Sequence, residues 1–422
     1  MSTEPGQAGE NPPVPFILPG PVTDRETVEG WRQWRLTRHA FMPAPRLSLA
    51  DYRRLSPRKR HLHDLHRAAT HANLPLQDTP MSLAVTRLMR SRLQTNALKH
   101  KPTTRAGLMI TGGGYQGKTE TACEIAAVFE DAWLDLHQQL NPHAIPGTRD
   151  LHAPVAYVQT PVTAKPKSTC EAILDFFGAD HHKMTLPQLT RSVRTSLHDH
   201  GVRALLLDDI TRLKMHRADD QDTLDLLRAF MSMHTTLVLI GVDIPGSGLL
   251  REGRHDPRTG QWVFPPPAGD GPSTQTERRF DLVHLEPFRY DTPQHIAAWV
   301  AHLAGLEHHL RLLKATPGML TDGTMPEYLF RRTAGVVGLL ERLVEDGCTE
   351  ALDTGVETLT ENLLDTITIN LGNDPTRDPA AGEIPAVPTT SPPCSTSKKR
   401  RGRNTVFDDH GTVDRVASGG AA

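Results

Sequence analysis

The sequence predicts an α/β fold, a parallel sheet covered by helices on both faces and followed by a small all-helical unit. Three observations predict it. Residues 112–119, Gly-Gly-Gly-Tyr-Gln-Gly-Lys-Thr, match G-x-x-x-x-G-K-[ST] in full, between the apolar run Gly107–Ile110 and a segment with apolar residues at helical spacing. From residue 101 to 290, short apolar runs alternate with amphipathic stretches, the pattern of strands joined by crossover helices. After 290 the apolar runs stop and the pattern stays helical to about residue 372.

The elements follow in order. Residues 1–27 carry Pro5, Pro12, Pro13, Pro15, Pro19 and Pro21 and little to bury, the composition of a disordered lead. Residues 28–100 read as a helical and basic N-terminal extension, with Trp31 and Trp34 as early anchors and a last helix over Met81–Leu98. Within 101–290, strands are expected at 106–111, 154–159, 203–208, 236–241 and 280–285. Helices are expected at 118–134, 167–177, 187–199 and 220–234. The helical unit, 291–372, opens with Thr292 as N-cap and Pro293 at the first helical position. Leu339, Leu340, Leu343 and Val344 form an apolar stripe on one of its later helices. The last stretch, 373–422, is rich in Pro, Ser and Thr around the basic run Lys398–Arg403 and reads as a disordered tail. After that run, Asn404–Asp409 has an apolar centre suited to a docking peptide.

The glycine loop carries chemistry. Strand, loop and helix in that order point backbone N–H groups and a helix N-terminus at an anion, so the loop predicts nucleoside triphosphate binding. Gly112, Gly113, Gly114, Tyr115, Gln116, Gly117 and Glu120 complete the cradle. Lys118 reaches the β- and γ-phosphates, and Thr119 places its hydroxyl on Mg²⁺. A second element must complete the metal site. The run Arg203–Ile210 is apolar until Asp208 and Asp209, so both acids fall at a strand's C-terminal end, at the ligand crevice. Asp208 is the metal-side carboxylate and Asp209 the water-orienting base. Paired acids also close ordinary strands; the loop upstream is what gives these two a role.

Composition narrows the remaining classes. The 422 residues include 47 Lys and Arg against 49 Asp and Glu, a formal net charge of −2, so nucleic-acid contact requires a local basic surface. No apolar stretch approaches the roughly 18–20 residues of a membrane span, and no signal-peptide core is present. Cys123, Cys170, Cys348 and Cys394 are isolated, which indicates neither a zinc site nor a disulfide framework and fits a reducing cytoplasm.

A P-loop core followed at once by a small helical lid is the plan of the AAA+ ATPases, and within them the chain resembles the TniB/TnsC-type ATPases of transposition. The resemblance covers roughly residues 50–370. It rests on the order of the motifs, on Pro154–Pro161 after the first core helix, on Leu237–Gly241 followed by Glu277-Arg278-Arg279-Phe280, and on Gly335–Leu343 in the lid. It implies an ATP- and Mg²⁺-dependent regulator of DNA transposition that assembles on duplex DNA, helps choose the target, and recruits or activates a DDE transposase, often with a target-site adaptor. Carried over, Gly112, Gly117, Lys118 and Thr119 are the phosphate loop and Asp208 the Mg²⁺ acid. Arg279, with Arg278 in reserve, is an arginine finger offered to a neighbour's γ-phosphate. A finger in trans implies an oligomer with heterologous contacts, a ring or a helical filament.

The chain departs from that family in three places. Asp209 stands where Glu is usual, one methylene shorter, which implies slow turnover. Val242 and Asp243 follow Gly241 where a polar sensor is usual, leaving Asp243 for that role. Gly338 occupies the place of the lid's sensor arginine, with Arg342 one turn on as either a substitute or a solvated charge. For DNA, the basic segments are Lys165 with Lys167, Arg53 to Arg60, and 398–403; each is also readable as a solvated face. The histidines at 61, 63, 66, 181, 182, 308 and 309 are read as metal-free. Two further readings stay open: another AAA+ role, such as helicase loader or signalling NTPase, and a nucleotide-gated assembly module that hardly hydrolyses.

Overall fold

The computed structural model describes residues 23–143, 152–162, 165–212, 220–247, 249, 254–256, 261–263 and 276–369. The proline-rich stretch up to residue 22, the basic run 398–403 and Asn404–Asp409 lie outside the described residues, as does Cys394.

The chain enters through four helices. Helix α1 (Val28–Thr37) begins at Thr27, whose side chain accepts from Gly30 N. It is followed by α2 (Leu49–Arg54), α3 (Pro57–His71) and α4 (Pro80–Ala97). Helix α4 has a complete capping box, with Thr79 and Ser82 bonding each other's backbone and Pro80 at the first position. Its Val85, Met89 and Leu93 recur every four residues on one face and join the core of the sheet. Asn96 near its end donates to Ala106 O at 2.9 Å and to Thr236 Oγ1 at 3.1 Å, tying the helix to the strands that follow.

Strand β1 (Gly107–Gly112) leads into α5 (Lys118–Leu140), and β2 (Val155–Gln159) into α6 (Pro166–Phe176) and α7 (Leu186–Asp199). Then come β3 (Ala204–Asp208), α8 (Asp220–Met231), β4 (Thr236–Gly241), α9 (Ile244–Ser247), the short strands β5 (Arg254–Asp256) and β6 (Gln261–Val263), and β7 (Phe280–Leu285). The main sheet is wholly parallel in the order β2-β3-β4-β1-β7. Its five strands lie within a residue of the expected spans. The reason is local: β3 and β4 are buried along their length and, apart from the terminal Asp208 and Thr236, made of apolar residues and glycine, so both read as uninterrupted runs. At the edge, β7 alternates, with Phe280 and Leu285 buried and Asp281 paired to Arg92 of α4.

The antiparallel pair β5–β6 is additional to the expected strands. Each strand has three residues, too few for a period-two signal. Helix α5 continues to Leu140, past the expected end at 134. Its last turns are largely exposed and lose the apolar periodicity while keeping good helix formers.

The remaining helices are α10 (Pro293–His309), α11 (Met325–Thr333), α12 (Val337–Asp353) and α13 (Glu361–Leu364). Thr292 caps α10, accepting from His295 N at 3.2 Å, with Pro293 behind it as expected. The stripe Leu339, Leu340, Leu343 and Val344 is buried on α12, and Trp299 donates to Pro326 O at 2.8 Å.

Helices α1 to α4 pack on both neighbouring parts. Trp31, 1% exposed, joins the core of the sheet and donates to Glu130 Oε2 of α5 at 2.5 Å. Arg38 adds contacts to Asp131 at 2.7 Å and Glu124 at 3.3 Å. On α3, Arg67 is buried and grips Glu357 with two bonds of 2.7 and 3.0 Å, anchoring that helix beside α12. No helix among the described residues is long and apolar enough to cross a membrane. Cys123, Cys170 and Cys348 are free and buried.

Candidate nucleotide site

The site is built at the carboxyl ends of β1 and β3. Gly112 closes β1 where a Cβ would lie 2.2 Å from Leu285 O of the adjacent β7, so only glycine fits. The chain then turns through two left-handed residues, Tyr115 at φ +58 and Gly117 at φ +73. Gly117 is the N-cap of α5, and a Cβ there or at Gly114 would meet nothing within 4 Å, so the loop is open on that side. Gln116 is buried beneath it. Lys118 donates to Gly113 O at 2.5 Å, bringing its ammonium over the loop. Burial lowers the pKa of Lys118, while Asp208 and Asp209 act in the opposite sense.

Asp208 is 4% exposed at the end of β3. Its Oδ2 accepts from Thr119 Oγ1 and from Tyr157 OH, both at 2.8 Å, and its Oδ1 accepts from Asp209 N at 2.8 Å. Burial, with the Asp208 carboxylate next, holds the Tyr157 phenol well above its ordinary range, so it stays a donor. Asp209 sits at φ +50 with its carboxylate turned to the surface, accepting from Gln159 Nε2 at 3.2 Å and pairing with Arg212 at 2.8 Å.

These groups fit a nucleotide with a divalent cation. A 23-residue helix begins at the loop with Lys118 on its first turn, which suits an anion. Thr119 and Asp208 present a hydroxyl and a carboxylate 2.8 Å apart, the hard oxygens Mg²⁺ prefers. Among the described residues no group of three or more His, Cys, Asp or Glu could hold a metal alone. The cation would therefore share its shell with phosphate oxygens and water.

The other residues singled out by sequence fall in varied places. The Glu120 carboxylate is held by Arg25 through bonds of 2.8 and 3.2 Å. Arg25 was missed, because it falls in the stretch assigned to the lead; the only nearby signal was the Trp31–Trp34 pair, which marks where packing begins. Arg25, Glu26, Thr119, Asp208 and Asp209 line one cleft of about 480 Å³. On α12, Gly338 N donates to Tyr115 O at 2.9 Å, and a Cβ on Gly338 would lie 2.8 Å from that oxygen. Gly338 therefore lets α12 rest on the loop. Arg342 is half exposed and faces Asp346 at 3.6 Å, a solvated helix pair. Its neighbour Glu341 is the more enclosed residue, its pKa raised by burial and then by Glu345 and Glu120. Asp243 accepts from Gly246 N at 3.2 Å and caps α9.

Arg278 and Arg279 form the turn just before β7, whose Phe280 pairs with Gly107 at the start of β1. The glycine loop leaves the opposite end of β1. At about 3.3 Å per residue, the two ends are on the order of 16 Å apart. The structure thus separates the arginines from the nucleotide site of their own chain. Lys165 is exposed just beyond β2, and Lys167 faces Glu171 at 3.6 Å. Arg53, Arg54, Arg58 and Lys59 are exposed, with Arg54 on Asp51 at 3.2 Å. His63 and His66 are buried on the carbonyls of Pro45 and Met42, bonds that belong to packing.

Residues 83–245 match the family model described as "Bacterial TniB protein". Among curated proteins, none matches the chain in sequence. Solved structures that align with it include the Aeropyrum pernix Orc1 protein in complex with DNA, at 12% identity over 71% of this chain and 68% of that one, with TM-score 0.46. Cdc6p from Pyrobaculum aerophilum aligns at 11% over 68% and 65%, TM-score 0.40. AMPPCP-bound DnaA from Aquifex aeolicus aligns at 13% over 68% and 65%, TM-score 0.35. The chain spans about two thirds of the length of each. The main sheet is five-stranded and parallel with helices flanking it.

Proposed function

We propose that this chain, an ATPase of the AAA+ class whose residues 83–245 match the TniB family, regulates DNA transposition. It assembles on duplex DNA in the ATP state as a ring or helical filament and recruits or activates a DDE transposase, with a target-site adaptor as a further partner. The cytoplasm is its compartment. Residues 28–100, 101–290 and 291–372 serve as N-terminal extension, ATPase core and lid. The observation that carries the reading is the span of the family match, which includes both the 112–119 loop and the Asp208–Asp209 pair.

Each residue has a task that its geometry supports. The loop amides and Lys118 hold the phosphates, and Thr119 with Asp208 holds the cation. When bound, Mg²⁺ supplies neutralisation of the charge that develops on the phosphate oxygens. Asp209 orients the attacking water, and Arg279 of one subunit completes the site of the next.

A second reading rests on a specific observation. The Asp209 carboxylate is shared between Gln159 and Arg212, which suits an assembly module that binds ATP and hydrolyses little. Asp209→Asn and Asp209→Glu separate the two. If Asp209 is the base, the Asn variant loses roughly a hundredfold or more in turnover, and the Glu variant keeps or gains rate through its longer reach. Equal turnover in wild type and Asp209→Asn would remove Asp209 from the chemistry.

DNA binding tests the reading as a whole. Assembly on duplex DNA is expected only with ATP, and log K should fall linearly with log[salt] because neutralised phosphates release counterions. If Lys165 contacts a phosphate, Lys165→Ala flattens that slope by about one. A wild-type slope in the variant takes Lys165 off the DNA surface, and wild type that ignores DNA with ATP present overturns the transposition role.

A further inference from the structure

Tyr157 sits in the middle of the buried strand β2, where nothing in the neighbouring residues marks a polar role. Its hydroxyl nevertheless ends 2.8 Å from Asp208 Oδ2, the oxygen that Thr119 also reaches. The phenol is held from several directions. Tyr157 is 5% exposed, and its ring stacks on Trp31 at 6.1 Å and 16°. The Arg25 guanidinium lies 5.5 Å from the ring centre and 5.1 Å from that of Trp34. Arg25 is itself fixed by its two bonds to Glu120, the residue after Thr119. One cation from the N-terminal segment therefore touches both sides of the metal pair, Thr119 through its neighbour and Asp208 through Tyr157.

We infer that Tyr157 is a positioning residue for the metal-side carboxylate and that Arg25 holds it there from the N-terminal segment. Asp208 must offer one oxygen to a cation while its side chain stays in one rotamer. Two of the bonds that keep it so, from Asp209 N and from Thr119, come from elements that belong to the site in any case. The third comes from Tyr157, and only that one depends on the N-terminal segment. Thr119 can go on donating its proton to Asp208 while a lone pair of the same oxygen faces the ion. The arrangement is thus already set for the cation, and its pre-organisation passes through the Tyr157 hydroxyl. Arg25 extends the effect, since its two ring contacts and its Glu120 bonds close the metal side of the cleft.

The proposal rests on the nucleotide-site reading above, and its test separates the two. Tyr157→Phe keeps the ring, the Trp31 stacking and the Arg25 contact and removes only the hydroxyl. Binding of a fluorescent, slowly hydrolysed ATP analogue to the full chain is measured first in EDTA and then across a Mg²⁺ titration. Binding of Mn²⁺ in the presence of the analogue is followed in parallel by its electron spin resonance. Losing one hydrogen bond to a buried carboxylate corresponds to a shift of roughly tenfold, so the Mg²⁺ and Mn²⁺ midpoints should rise by about that factor. Affinity in EDTA should stay at the wild-type value, because the loop and Lys118 set it. Arg25→Gln should raise the midpoints in the same direction, and the double variant should shift them by less than the sum of the two single shifts, the non-additivity of a path shared through Tyr157. A Tyr157→Phe midpoint equal to wild type overturns the proposal. So does a variant that loses affinity equally with and without metal, since that is the mark of a general packing defect. A wild-type protein that binds no nucleotide overturns the nucleotide-site reading and this inference with it, whereas one that binds nucleotide with no dependence on Mg²⁺ overturns this inference alone.

Discussion

Arg279→Ala is expected to bind ATP as wild type does and to hydrolyse it about a thousandfold more slowly, the lower end of what an arginine finger contributes. Position is the reason. Arg279 lies at the start of β7, beside the beginning of β1, whereas the phosphate loop leaves the far end of β1. A nucleotide within reach of its guanidinium would therefore be one bound by another copy across an interface. Asp208→Ala should be equally inactive for a different reason, having lost its own metal carboxylate. Mixing the two proteins creates interfaces with an intact Asp208 on one side and an intact Arg279 on the other, and these should recover part of the wild-type rate. Dilution below the assembly concentration should abolish the recovery. Co-assembled mixtures that stay inactive would transfer the role to Arg278, exposed on the same turn, or remove the finger altogether.

Lys118→Ala is the second large effect. Nucleotide affinity should fall by about tenfold to a hundredfold and turnover should drop below detection, with the thermal melt unchanged. The ammonium is held over the loop by Gly113 O and makes no contact on which the fold depends. A charge-assisted bond to phosphate accounts for the affinity term, on the order of 1.5–3 kcal/mol. Turnover falls further because charge building on the phosphate oxygens then has one cation fewer. Calorimetric titration with the analogue checks the first part, and phosphate release checks the second. An affinity equal to wild type would take the loop's role away.

The five parallel strands, the glycine loop and the acid pair are legible in the amino-acid sequence. Each is written in neighbouring residues: Leu205-Leu206-Leu207 before Asp208, and Gly117-Lys118-Thr119 at a strand-to-helix turn. A buried parallel strand is apolar on both faces, so its limits coincide with the ends of an apolar run. Caps such as Thr292-Pro293 are equally local. Which of these pieces meet depends on how the whole chain folds. Arg25 comes to Glu120, Tyr157 to Asp208 and Gly338 to Tyr115, each pair 51 or more residues apart in the chain. The same is true of Trp31 and α4 entering the core of the sheet, and of Arg279 lying at the end of the sheet opposite the loop. Such pairings depend on strand order and on which apolar faces the whole chain manages to bury together. No window of a few residues carries that information, because it belongs to the packing of all of them.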